Sequence, residues 1–88
     1  MRTYLVECYL PAFTGDQLEL LTTRAGAAVM SMQARGIQVR QLGYTFLPEE
    51  ETVFCLIEAT SIETVEELSR RASIPTARIV EAQHVPRS

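Results

Sequence analysis

Thr52-Val53-Phe54-Cys55-Leu56-Ile57-Glu58-Ala59 is an unbroken run of β-branched, aromatic and aliphatic side chains with a single carboxylate near its end. The turn-like segment Pro48-Glu49-Glu50-Glu51 precedes it, and a helix start follows it. A run of this length between such boundaries reads as a strand buried on both faces, and therefore as a central strand of a sheet. Glu58 is its one departure, a carboxylate on a strand that otherwise avoids water.

Working outward, Arg2 to Leu10 alternates as a first strand, with Tyr4, Val6, Cys8 and Leu10 on one side and Leu5, Glu7 and Tyr9 on the other. Pro11 ends it, and Thr14 with Gln17 has the spacing of a capping box. Leu18, Leu21, Ala25, Ala28, Val29 and Met32 then recur at helical spacing, and Gly36 supplies the stop. Ile37 to Phe46 reads as a second strand, with Gly43 marking a bulge or a close backbone approach. Leu47 to Glu51 forms an exposed acidic hairpin loop, read as a solvated turn rather than a metal site. Beyond the central run, Thr60 with Glu63 gives a second capping box, with Ser61 as the alternative cap. Ile62, Val65, Leu68, Ser69 and Ala72 form the buried stripe of a second helix closed by Pro75, and Ala77 to Val85 is a last strand.

The order is strand, helix, strand, strand, helix, strand. Right-handed crossovers in each half and a hairpin between the halves lead to a ferredoxin-like βαββαβ fold, an α+β architecture. Its four-stranded antiparallel sheet has the first and third strands at the centre and both helices on one face. The reading places residues 1–88 in a single domain. Tyr4-Leu5-Val6-Glu7, Cys55-Leu56-Ile57-Glu58 and Arg78-Ile79-Val80-Glu81 echo one another as apolar runs closed by Glu, without a period long enough to make a repeat.

Composition narrows the function. The formal net charge is −3, which argues against nucleic acid as a partner. All eight basic residues are Arg, so lysine Schiff-base chemistry and a lysine-bearing phosphate loop are excluded. No segment approaches the length of a membrane span, and no signal-like start is visible, so a cytoplasmic protein without membrane partners is expected. Cys8 and Cys55 lie in apolar strands and read as reduced core thiols, a structural disulfide being the alternative. With no CxxC, no paired histidines and one His in the chain, a zinc site within one subunit is not expected.

The helices leave one sheet face bare. Alternation places Leu5, Glu7, Tyr9, Phe54, Leu56 and Glu58 there, and extends the set to Arg40, Leu42, Tyr44 and Phe46 on the second strand. On the last strand it takes Val80 and Ala82 as inward, leaving Ile79, Glu81 and Gln83 on the open face. A surface this apolar marks an interface or a ligand site. The economical solution is a homodimer with facing sheets, a dimeric α+β barrel, enclosing a partly polar cavity. Glu7, Tyr9, Phe54, Glu58, Glu81 and Arg40 are the candidate ligand-binding residues, with Arg40 and Arg78 as partners for the carboxylates. His84 with Glu81 is the candidate metal pair, workable only if two subunits combine.

The chain resembles a family of small bacterial proteins of unknown function whose better-studied member is nickel-responsive and nickel-binding. The resemblance rests on Tyr4-Leu5-Val6-Glu7 with Leu10-Pro11, on Val53 to Ala59, and on Val65 through Arg70-Arg71-Ala72 to Ile74-Pro75 and Arg78-Ile79. It implies a ferredoxin-like fold, a dimer, and nickel or another divalent transition metal as cofactor. The sequence departs from the family pattern at Leu68, where a His is usual, and at Ser73, where a Gly is usual. The aromatic-rich second strand, often bearing Trp, matches only at Val39 or Gly43. The resulting expectation is a dimer that binds a small ligand or metal ion between facing sheets. A cofactor-free monooxygenase or isomerase and a purely structural or regulatory module are the alternatives.

Overall fold

The structure, a computed structural model, describes residues 1–11, 14–83 and 85. Strand β1 (Arg2–Tyr9) is followed by helix α1 (Gly15–Ala34), β2 (Val39–Leu47), β3 (Thr52–Ala59), α2 (Ile62–Arg71) and β4 (Thr76–Ala82). The sheet is antiparallel with order β2-β3-β1-β4, so β1 and β3 are central, as their composition requires. Both helices cover one face. Among the described residues the sheet is open at β2 and β4 and does not close into a barrel.

Local chemistry sets the helix ends. Thr14 caps α1 by accepting from the Gln17 backbone N–H while the Gln17 side chain accepts from the Thr14 N–H, a complete capping box. Ser61, rather than Thr60, caps α2 through the Thr64 N–H. Helix α1 ends at Gly36, whose φ of +83° is the left-handed conformation that suits glycine. Helix α2 ends with Ser73 at φ +53°, and Ile74 N–H reaches back to Ser69 O at 2.9 Å. That closure has the form a glycine normally provides.

The core lies between the sheet and the helices. Tyr4, Val6 and Cys8 of β1 and Val53, Cys55, Ile57 and Ala59 of β3 point into it. From above, Leu21, Ala25 and Met32 of α1 and Val65, Leu68 and Ala72 of α2 meet them. The alternate residues of β3 (Phe54, Leu56 and Glu58) are only half-buried. The opening stretch is therefore central but covered on one face, not on two.

Two parity expectations are corrected. Between Gln41 and Gly43 the β2–β3 register shifts, so Arg40 faces Glu58 whereas Tyr44 faces Cys55 and Phe46 faces Val53. Directly opposed residues share a sheet face, so the bulge turns Tyr44 and Phe46 toward the helices, and both pack against the core. On β4, Ile79 pairs with Val6 and Glu81 with Tyr4, while Val80 pairs with Leu5. Ile79 and Glu81 thus lie on the helix side, and Val80 and Ala82 belong to the open face. Both Ile79 and Val80 are apolar, so alternation along β4 alone leaves its two sides equivalent, and pairing with β1 decides between them.

Candidate functional site

The open face is built on β1 and β3. Leu5 stands directly opposite Leu56, with Phe54 and Val80 on the same face as a half-exposed apolar centre. Tyr9 lies more exposed at the end of β1.

The two open-face carboxylates are each held by an arginine on the neighbouring edge strand. Glu58 accepts from Arg40 Nη2 at 2.7 Å, and Glu7 accepts from Arg78 Nε at 3.2 Å. In both cases the partners are directly opposed across the ladder, the geometry in which cross-strand charges interact best. Their exposures differ in a consistent way. The arginine side chains are 62% and 66% exposed and the glutamates 24% and 29%. The arginine is the more exposed member of each pair and the glutamate the less exposed, so each corner of the face is an ion pair whose outer group is a guanidinium.

The arrangement has an internal symmetry. Leu5 and Leu56 occupy matching positions in the two echoing segments and are paired with each other. The relation between the halves is therefore a local two-fold through that pair, and it carries Glu7 and Arg78 onto Glu58 and Arg40. The third echoing segment, ending in Glu81, does not share this placement.

Glu81 is the site residue whose expected face is corrected. It lies on the helix side of an edge strand, exposed, 3.4 Å from Arg2 Nη1. An open depression of about 760 Å³ at the end of the sheet is lined by Arg2, Thr3, Glu58, Glu81 and Gln83, among others. The structure thus brings Glu58 and Glu81 to one rim and leaves Glu7 at the opposite corner. His84 lies outside the described residues. Alternation alone missed Val80 as an open-face residue and Arg2 as the partner of Glu81.

The described residues do not assemble a metal-ligand set: no group of three His, Cys, Asp or Glu side chains comes together among them. Glu7 and Glu58 are engaged by arginine, and Cys8 and Cys55 face the core. Leu68, where the resemblance implies a His, is 1% exposed beneath α2. Among the described residues no helix is long and apolar enough to cross a membrane.

The core side of the same strands carries the perturbed titrating groups. The Cys8 thiol is pushed above the ordinary thiol range, first by the neighbouring Cys55 thiol and then by burial. Burial also raises the Tyr44 phenol, opposed by the hydrogen bond that Gln41 donates to its oxygen.

Comparison with known proteins places this geometry. The family described as nickel responsive protein SCO4226-like matches residues 4–82. The chain belongs to the SCO4226-like family. Among solved structures, the crystal structure of SCO4226 from Streptomyces coelicolor A3(2) superposes with a TM-score of 0.77 at 21% identity, covering 96% of this chain and 99% of that one. At that identity the likeness to SCO4226 establishes the shared fold. No curated protein matches the chain. For this SCO4226-like chain the family name points to nickel, while the donor groups its described residues present do not form a site for it.

Proposed function

We propose that the chain acts as a homodimer whose open sheet faces meet and enclose a small ligand with an apolar body and an anionic group. The observation that carries this reading is the pairing of a half-exposed apolar centre, Leu5, Phe54, Leu56 and Val80, with outward-lying guanidinium groups at Arg40 and Arg78. An uncovered apolar face is costly in water, and a second copy of the same face is the self-complementary cover that a two-fold dimer provides. A chain of 88 residues gains from such burial, because its own core is small. Guanidinium groups favour carboxylate, sulfonate or phosphate on the enclosed molecule. The same groups, bound to Glu7 and Glu58, disfavour a divalent cation there, so the ligand reading is preferred to nickel. A metal site built from His84 and Glu81 of two subunits is the competing reading, and the family name is what supports it.

Light scattering at micromolar concentration tests the assembly: a dimer is expected, and Leu56→Arg, which places a charge at the centre of the face, should yield a monomer. Titration with 1-anilinonaphthalene-8-sulfonate, an apolar anion, tests the site. Saturable binding weakened several-fold in Arg40→Gln, Arg78→Gln is expected. A clean monomer, or stoichiometric Ni²⁺ uptake lost in His84→Ala, Glu81→Ala without sulfonate binding, overturns the reading.

A further inference from the structure

The local two-fold through Leu5 and Leu56 relates the two ion pairs, but it does not make their neighbours alike. Across the ladders from β2 to β4, Arg40, Glu58, Thr3 and Ala82 stand in one row of directly opposed residues. The matching row on the far side of Leu5 and Leu56, read from β4 to β2, is Arg78, Glu7, Phe54 and Thr45. Directly opposed residues share a sheet face, so both rows belong to the open one. Their charged halves correspond, guanidinium for guanidinium and carboxylate for carboxylate. Their uncharged halves do not: Phe54 stands where the first row has Thr3, and Thr45 where it has Ala82. An aromatic ring thus fills the face beside Glu7, whereas two of the smaller side chains floor it beside Glu58. The depression of about 760 Å³ at the end of the sheet lies on the small row, lined by Thr3, Ala82 and Glu58.

We propose, resting on the dimeric ligand reading above, that the Arg40–Glu58 row alone receives the ligand, and that Thr3 and Ala82 set its size and shape: a flat aromatic acid of one or two rings. Arg40 takes the acid group. Its bond to Glu58 engages Nη2, and a guanidinium has further N–H donors to turn toward an anion. The side chain is 62% exposed, so those donors are within reach of a molecule on the face. The ring lies over Thr3 and Ala82, beside Leu5 and Val80 of the central row.

The preference for a flat ring follows from the layer the ligand occupies. Neighbouring strands lie about 4.8 Å apart, so the β3, β1 and β4 positions of the row span roughly 10 Å, room for two fused rings. Facing sheets are held about 10 Å apart by the side chains between them. Leu5, Leu56 and Val80 keep that spacing in the central row, so the sheets cannot collapse onto the threonine and alanine next to it. What is left is a slot parallel to the sheets. A planar body touches both walls of such a slot, and a puckered ring does not. On the other row half-buried Phe54 already occupies this layer, a ring that the chain supplies itself.

The test is calorimetric titration of the folded full chain with 2-naphthoate, with light scattering on every variant. Binding of one molecule per chain is expected. Arg40→Gln alone should weaken it about tenfold, the worth of one hydrogen bond to a charged group, and by as much as Arg40→Gln, Arg78→Gln does. Thr3→Phe should abolish binding with the dimer intact; if that variant does not assemble, Ala82→Phe on the edge strand decides. Phe54→Thr, Thr45→Ala rebuilds the second row on the pattern of the first and should raise the stoichiometry to two per chain. Decahydro-2-naphthoate, the saturated counterpart, should bind more weakly than the aromatic acid. Equal losses in Arg40→Gln and Arg78→Gln, unchanged binding in an assembled Thr3→Phe or Ala82→Phe, equal affinity for the saturated acid, or binding that appears only when Phe54 is replaced would each overturn the proposal. Binding of 1-anilinonaphthalene-8-sulfonate without 2-naphthoate overturns this assignment alone, whereas a dimer that takes neither overturns the ligand reading on which it rests.

Discussion

Arg40 Nη2 lies 2.7 Å from Glu58 Oε1, directly across the β2–β3 ladder, and the local two-fold repeats this pair as Arg78 and Glu7. The carboxylate is the less exposed partner and the guanidinium the more exposed. Such a pair orients charge more than it stabilises the fold. In double-mutant cycles using Arg40→Gln and Glu58→Gln, the coupling should be below about 1 kcal/mol and should shrink as salt is raised. Urea unfolding at low and high ionic strength measures it.

Ser73 holds a left-handed backbone, φ +53°, at the end of α2. A side chain there is strained and glycine is not. Ser73→Gly should therefore stabilise the chain by about 0.5–1 kcal/mol, and Gly36→Ala, at φ +83°, should destabilise it by about 1 kcal/mol. Thermal or urea unfolding of the two variants checks the opposite signs.

Ser69 is 8% exposed within α2, and its hydroxyl has no hydrogen-bond partner among the described residues. Removing an unsatisfied buried hydroxyl relieves its desolvation, and alanine favours helix over serine. Ser69→Ala should raise stability by roughly 1 kcal/mol, read as a higher urea midpoint with an unchanged slope.

Alkaline pH should weaken the fold. The Tyr44 phenol is raised from its ordinary 10.0. Below that value both folded and unfolded chains carry its proton. As pH rises above it, the unfolded chain releases a proton that the folded chain retains, so the free energy of unfolding falls. The decline should begin near about pH 10, and Tyr44→Phe should flatten it.

Much of the fold can be read along the chain because its signals are local. The Thr14–Gln17 box, the Gly36 stop and the apolar stripes of both helices depend on residues three to seven apart, and the structure follows them except at Ile62, which begins α2 and is exposed rather than buried. The Thr52 to Ala59 run marks a central strand because few other places suit so many β-branched and aromatic side chains. On β1 and β3, one side is clearly more polar, so alternation puts Glu7 and Glu58 on the open face, where the structure has them.

The site itself was less legible, and the reason lies in pairing. Tyr44 and Phe46 change sides because one extra residue near Gly43 shifts the β2–β3 register. Glu81 changes sides because β4 is apolar on both faces around Ile79 and Val80, and only its ladder with β1 chooses between them. Side-chain parity has a period of two, so a shift of one residue moves everything after it to the other face.

By itself, then, the sequence determined the order of strands and helices, the capping box of α1, the central position of Thr52 to Ala59 and the arginines available to its carboxylate. Tertiary structure alone decided which guanidinium pairs with which carboxylate, that the arginine is the more exposed member of each pair, and which side of the sheet Tyr44, Phe46 and Glu81 occupy. Each of these is a relation between two strands, set by register and twist, and neither strand carries it alone.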